Sequence, residues 1–219
     1  MRSQGRRDGG IVVRILTLLA LLMNAGAAQT VPADSLLSGM DLLHRQKLSI
    51  APIALFQRMS YAAPGMNCQF EPSCSHFMAQ AIARHDVVKG LVMGTDRLIR
   101  CNPFAFQYHL KEQPDQFSVD GRMMDPVPGG DNRTRLSANT AYSIIPGLGR
   151  ALAGHGGDGL VSFLTVATLA AVTARAHQGD NVGATVTLGS LTAVFWIADF
   201  YAASRTRTSH GDGKRSASR

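Results

Sequence analysis

The sequence predicts a mainly α protein: a small helical domain followed by C-terminal apolar helices with transmembrane character. Three observations carry this. Apolar residues recur at helical spacing over 34–47, 51–63 and 86–100. Two apolar stretches, 160–174 and 182–198, are rich in Ala, Gly, Thr and Ser, residues that allow close helix packing in a bilayer. Charged residues make up only 17 % of the chain, against about 25 % in a soluble domain.

The charge is placed at the ends. Residues 1–14 hold four arginines against Asp8, and Arg205, Arg207, Lys214, Arg215 and Arg219 stand against Asp212. With a net charge of +7, the middle is nearly neutral. A nucleic-acid domain would carry its charge as a folded basic face, so no nucleic-acid partner is expected. Basic ends beside apolar segments fit anionic lipid headgroups.

In chain order, residues 1–27 read as a signal peptide or an N-terminal anchor. Arg2, Arg6 and Arg7 precede a short apolar run from Ile15 to Met23, and Ala25-Gly26-Ala27 is a small-x-small cleavage pattern. Leu36, Leu37, Met40, Leu43 and Leu48 line a short helix over 34–47. A second helix over 51–63 has Pro52 in its first turn and ends at Pro64-Gly65. It is either a core helix or an interfacial one with Gln57 and Arg58 on its polar side. Ser73 is the expected N-cap of a helix to His85. Asp86 opens the next, to Arg100, with Val87, Val88, Leu91, Leu98 and Ile99 on its packing face. Lys89, Met93, Asp96 and Arg100 lie on the face expected to meet solvent or headgroups.

The three cysteines, Cys68, Cys74 and Cys101, leave alternatives open. They are candidate disulfide partners with one thiol left over, three buried thiols, or metal ligands with His76 or His85. The spacing lacks a zinc knuckle, so neither metal nor cofactor is expected. No base or oxyanion stabiliser accompanies the thiols, and no enzymatic activity is expected.

Four motifs stand in order along this part of the chain: CQFEPSCSHF, AIARHDVVKG, RLIRC and DPVP. Together they resemble the YidD family of membrane protein insertion efficiency factors over about residues 50–128. That family carries C-x-x-x-P-[ST]-C-S-x-[YF], A-I-x-x-H-x-x-x-K-G, R-L-x-R-C and D-P-V-P. The resemblance implies a small helical domain over 34–128. Its motif residues here are Cys68, Pro72, Ser73, Cys74, Ser75, Lys89, Gly90, Arg97, Arg100, Cys101, Pro103, Asp125, Pro126, Val127 and Pro128. It also implies a non-enzymatic role in inserting or folding membrane proteins at the cell inner membrane of a bacterium. The implied partners are lipids, a YidC-type insertase and nascent membrane proteins. The chain departs from the family at Asn102-Pro103, where His-Pro is usual. An insertion over 104–122 is expected to form an irregular arm or short hairpin.

A polar linker, 129–140, leads to a hydrophobic helical segment over 141–204 and a basic disordered tail over 205–219. The run PGLGRALAGHGGDG is similar to a small membrane-associated module of unknown function. Gly179-Asp180-Asn181 reads as a turn between the two apolar stretches. Trp196 and Tyr201 suit an interface. A cleaved signal would place the domain outside the membrane and the resemblance would place it inside. The outside placement carries the other functional reading, an exported envelope binding or assembly module stapled by a disulfide.

Overall fold

The structure, a computed structural model, describes residues 31–39, 41–61, 68–112, 114–129 and 138–205. The expected signal or anchor, most of the expected linker, Pro64-Gly65 and the tail beyond Arg205 lie outside them. Among the described residues are nine α-helices, one 3₁₀ turn and one two-stranded sheet, a mainly α fold as expected. They fall into two compact units, Met1–Asn67 and Cys68–Arg219. The division expected from sequence, 34–128 and 141–204, is a different one.

The first unit holds α1, Pro32–Gly39, and α2, His44–Tyr61. Both helices start the same way. In α1, Pro32 takes the first helical position and the Asp34 carboxylate accepts from the Val31 N–H at 3.0 Å. In α2, Gln46 Oε1 accepts from the Leu43 N–H at 2.9 Å. Each is the back-bond of a capping box, made by the third helical residue. These bonds divide the expected 34–47 helix in two. They also put Pro52 well inside α2 rather than in its first turn, at the loss of one helical hydrogen bond.

The polar side of α2 is also reversed. Gln57 is fully buried and accepts from the Ala33 N–H at 3.0 Å, and Arg58 pairs with Asp34 at 2.6 Å. Leu48, Phe56 and Met59, on one stripe of the helix, are exposed.

The second unit is built on α3, Cys74–His85, and α4, Val87–Arg100. The Ser73 hydroxyl accepts from the His76 N–H, and the Asp86 carboxylate from the Val87 N–H. The two helices run antiparallel at close range. Gly90 lies against the backbone of Ile82, where a Cβ would collide, and Gly94 lies against the side chain of Met78. A short parallel pair joins β1, Phe70–Glu71, to β2, Met123–Met124, with Phe70 opposite Met123. The expected irregular arm between them is α5, Pro103–Glu112, and the 3₁₀ turn Pro114–Gln116. Asn102 caps α5 by accepting from the Ala105 N–H at 3.0 Å, with Pro103 at the first helical position.

Beyond lie two short helices, α6, Ala138–Tyr142, and α7, Leu148–Leu152, and two long ones, α8, Gly156–Gln178, and α9, Val182–Arg205. The long pair forms a hairpin about Gly179–Asn181, and Asn181 caps α9 through the Ala184 N–H. At 1.5 Å per residue each is about 35 Å long. Both are long and apolar enough to cross a membrane, and under a quarter of each apolar stretch is buried. That low burial separates them from core helices of a soluble domain. At its far end α9 packs on α4, and Tyr201 seats on the core of Phe77, Ala81, Met93 and Val127.

Candidate functional site

The expected motif residues converge at the C-terminal end of α4. Arg97 is fully buried. Its Nη2 donates to the Pro72 carbonyl at 2.8 Å, and its guanidinium lies over the Phe70 and Phe77 rings, 4.7 and 4.2 Å from their centroids. Nε is 3.8 Å from Asp125 Oδ2, while Nε and Nη1 make no hydrogen bond among the described residues. Burial pulls the Arg97 pKa below the ordinary arginine value, and Asp125 only partly restores it. Arg100 reaches Asp125 at 3.0 Å and Asp96 at 3.2 Å. Burial opposes its charge, but the two carboxylates outweigh that and hold its pKa above the usual.

The DPVP segment is strapped down over the helix pair. The Asp125 N–H donates to the Glu71 carbonyl at 3.0 Å, extending the sheet. Arg84 donates to the Val127 carbonyl at 3.2 Å, and His85 Nε2 lies 2.8 Å from the Pro128 carbonyl. Thus CQFEPSC, RLIRC and DPVP form one locus. Lys89 and Gly90 stand apart from it, in the N-terminal half of α4, and Pro103 is exposed at the start of α5.

The cysteines also meet. Cys68 Sγ lies 3.2 Å from Cys74 Sγ and 3.8 Å from Cys101 Sγ, and all three sulfurs fall within 4.8 Å of one another. All three are free thiols. Cys74 is buried at the first residue of α3, and its N–H donates to Cys68 Sγ at 3.3 Å. Phe70 and Met123 pack beside them, with Phe117. Hydrogen bonds from Cys101 and then Cys74 hold the Cys68 pKa far below the usual, while hydrogen bonding to their fellow cysteines, and then burial, push Cys74 and Cys101 up. His76 and His85 are engaged elsewhere, with Gln80 and Pro128.

A second polar locus was not legible as a site. Asp96, expected on a solvent-facing side of α4, is buried at 2 % exposure, because α9 and α8 pack on that helix and Arg150 of α7 reaches it. It pairs with Arg150 of α7 at 2.8 Å, and Arg150 pairs with Asp199 of α9 at 2.6 Å. Asp199 also accepts from the Gly147 N–H at 2.8 Å and from the Ser162 hydroxyl at 2.7 Å. Burial pushes the Asp96 pKa up, but Arg150, Arg100 and Arg205 outweigh it and hold it below the usual. Beside this, Asp158 accepts from Asn102 and from the Tyr108 hydroxyl, tying α8 to α5. Asp158 and Asp199 are the sole carboxylates of α8 and α9. A lone carboxylate in an apolar helix is the signal that could have exposed this locus.

The family model described as "Putative membrane protein insertion efficiency factor", YidD, matches residues 45–109. A protein of that name from Nitrosospira multiformis is 45 % identical over 56 residues, which are 26 % of this chain and 79 % of the relative. The chain belongs to the YidD family. Relatives of the same name from Oleidesulfovibrio alaskensis and Thermotoga neapolitana are 38 % and 35 % identical over 60 residues, each 27 % of this chain and 70 % and 76 % of theirs. No solved structure matches. The YidD match takes in α2, the cysteine locus, Arg97 and Arg100. The DPVP strap and the α8–α9 hairpin lie beyond it.

Proposed function

We propose that this chain is a membrane-anchored YidD protein that assists insertion or folding of integral membrane proteins by contact, without catalysis. The observation that carries this is the buried Asp96–Arg150–Asp199 chain. It joins α4, which the family match covers, to a hairpin long and apolar enough to span a bilayer. The α8–α9 hairpin inserts, and its apolar outer faces meet lipid. Asp158 and Asp199 lie at its base, so the Cys68–Pro128 helices sit at one membrane surface. There they stand beside emerging helices of client proteins and a YidC-type insertase. The exposed Leu48, Phe56 and Met59 stripe of α2 supports a lipid contact of the same kind. Nucleic acid is not a partner.

The test is pulse labelling of a polytopic membrane protein in cells of the source organism lacking this chain. The membrane-inserted, protease-protected fraction is expected to fall, and to recover when the full-length chain is restored. Equal insertion with and without the chain refutes the reading.

A further inference from the structure

We propose that Cys68, Cys74 and Cys101 together bind a single thiophilic d10 metal ion, Zn2+ or Cu+, through three thiolates. This goes beyond the insertion role and stands without it.

The geometry is that of one ion. At a metal–sulfur distance of about 2.3 Å, three sulfurs around a common centre lie roughly 3.8–4.0 Å apart. The sulfurs here lie 3.2 Å and 3.8 Å apart for two pairs, and all within 4.8 Å. A disulfide needs two sulfurs and leaves the third with no role. Here Cys74, at the start of α3, and Cys101, just past the end of α4, both lie against Cys68 at the same end of the helix pair.

The surroundings fit a metal thiolate. Cys68 Sγ receives the Cys74 N–H, the kind of outer contact that orients a ligand. Cys74 opens α3, whose N-terminal dipole favours a bound anion. Three thiolates with Zn2+ or Cu+ leave net negative charge. Arg97, fully buried over Phe70, with Nε and Nη1 making no hydrogen bond among the described residues, supplies a cation beside it. Phe70 and Met123 keep one side dry, while the half-exposed Cys68 and Cys101 leave an entry. Binding forms three metal–sulfur bonds and releases to solvent whatever thiol protons the cysteines still hold. Neither ion changes oxidation state. Cu+ is complete with three sulfurs, whereas Zn2+ takes a solvent molecule as its fourth ligand.

The full-length protein in detergent, reduced with a phosphine under argon, is titrated with Co2+ as a spectroscopic stand-in for Zn2+. A parallel sample receives Cu+ from a chelator. One ion per chain is expected, with a sulfur-to-metal charge-transfer band and protection of all three thiols from alkylation. Cys68→Ser and Cys101→Ser should each weaken uptake by at least about 100-fold, with the helical circular dichroism retained. Uptake of Co2+ assigns Zn2+, and uptake of Cu+ alone assigns copper. Alkylation of the wild-type protein decides the matter even if a variant fails to fold. Reduced protein that takes up neither ion, uptake indifferent to the serine variants, or protein isolated with a Cys–Cys bridge and no metal overturns the proposal.

Discussion

Asp199 shows how much one side chain holds here. Its two oxygens take the Gly147 N–H, Arg150 Nε and the Ser162 hydroxyl, and it is 1 % exposed. Asp199→Ala leaves the buried Arg150 with one of its two carboxylates, Asp96, and takes the acceptor from the Gly147 N–H and the Ser162 hydroxyl. Breaking a buried pair in this way costs about 3–5 kcal/mol. Denaturant unfolding in detergent should show that loss, with Asp199→Asn less damaged because it keeps the shape and one acceptor. His109 acts in the opposite sense, through being kept neutral. It is buried near Arg100, with Nε2 unpartnered among the described residues. Burial, and then Arg100, lowers its pKa to about 4, against the pull of Asp125 and Asp96. The unfolded chain therefore takes up this proton first, near pH 6.5, so stability is full above that pH and declines towards pH 4. The loss is about 3 kcal/mol at most. Thermal unfolding from pH 7.5 down to 4.5 should show the decline, and His109→Phe should flatten it. The residual slope then belongs to His76, whose pKa burial also lowers.

Among the elements, the α3–α4 pair is held at a distance only glycine permits. A methyl group at Gly90 would strike the backbone of Ile82, which cannot rotate away as a side chain can. Gly90→Ala should therefore pry the helices apart. Overpacking costs about 1–3 kcal/mol and occasionally more, and a fall in unfolding midpoint with faster alkylation of Cys74 would register it. An unchanged midpoint would show that the pair adjusts freely. Helix starts are legible where a side chain caps the backbone, as Ser73 and Asp86 do. Asn102-Pro103 carries the same signal, an N-cap followed by proline at the first helical position, but its departure from the family pattern masks it and suggests an irregular arm instead. The start of α2 carries no such signal, because Leu43 is no capping residue. The cap comes from Gln46 reaching back.

At the scale of the molecule, the hairpin decides how the protein is held. If α8 and α9 insert, the full-length chain stays with membranes through high salt and alkaline carbonate, because apolar burial is not screened by ions. Release by salt alone would show a peripheral protein. An inserted hairpin also returns the chain to the side it left. Reporter fusions after Gly129 and after Arg205 should then report the same compartment, and opposite compartments would mean a single span.

The sequence by itself determined the helical class, the family and the apolar pair, because periodicity, motif order and composition are local properties of the chain. Only the tertiary structure decided which faces are buried. Asp96 and Arg97 look like surface charges in one dimension, and Gln57 looks like the polar edge of an apolar helix. Each is buried because a partner distant in sequence supplies its opposite charge or its donor: Arg150, Asp125 and the Ala33 N–H. The three sulfurs, spread over 68–101, likewise became neighbours only when α3 and α4 folded back on each other and β1 paired with β2.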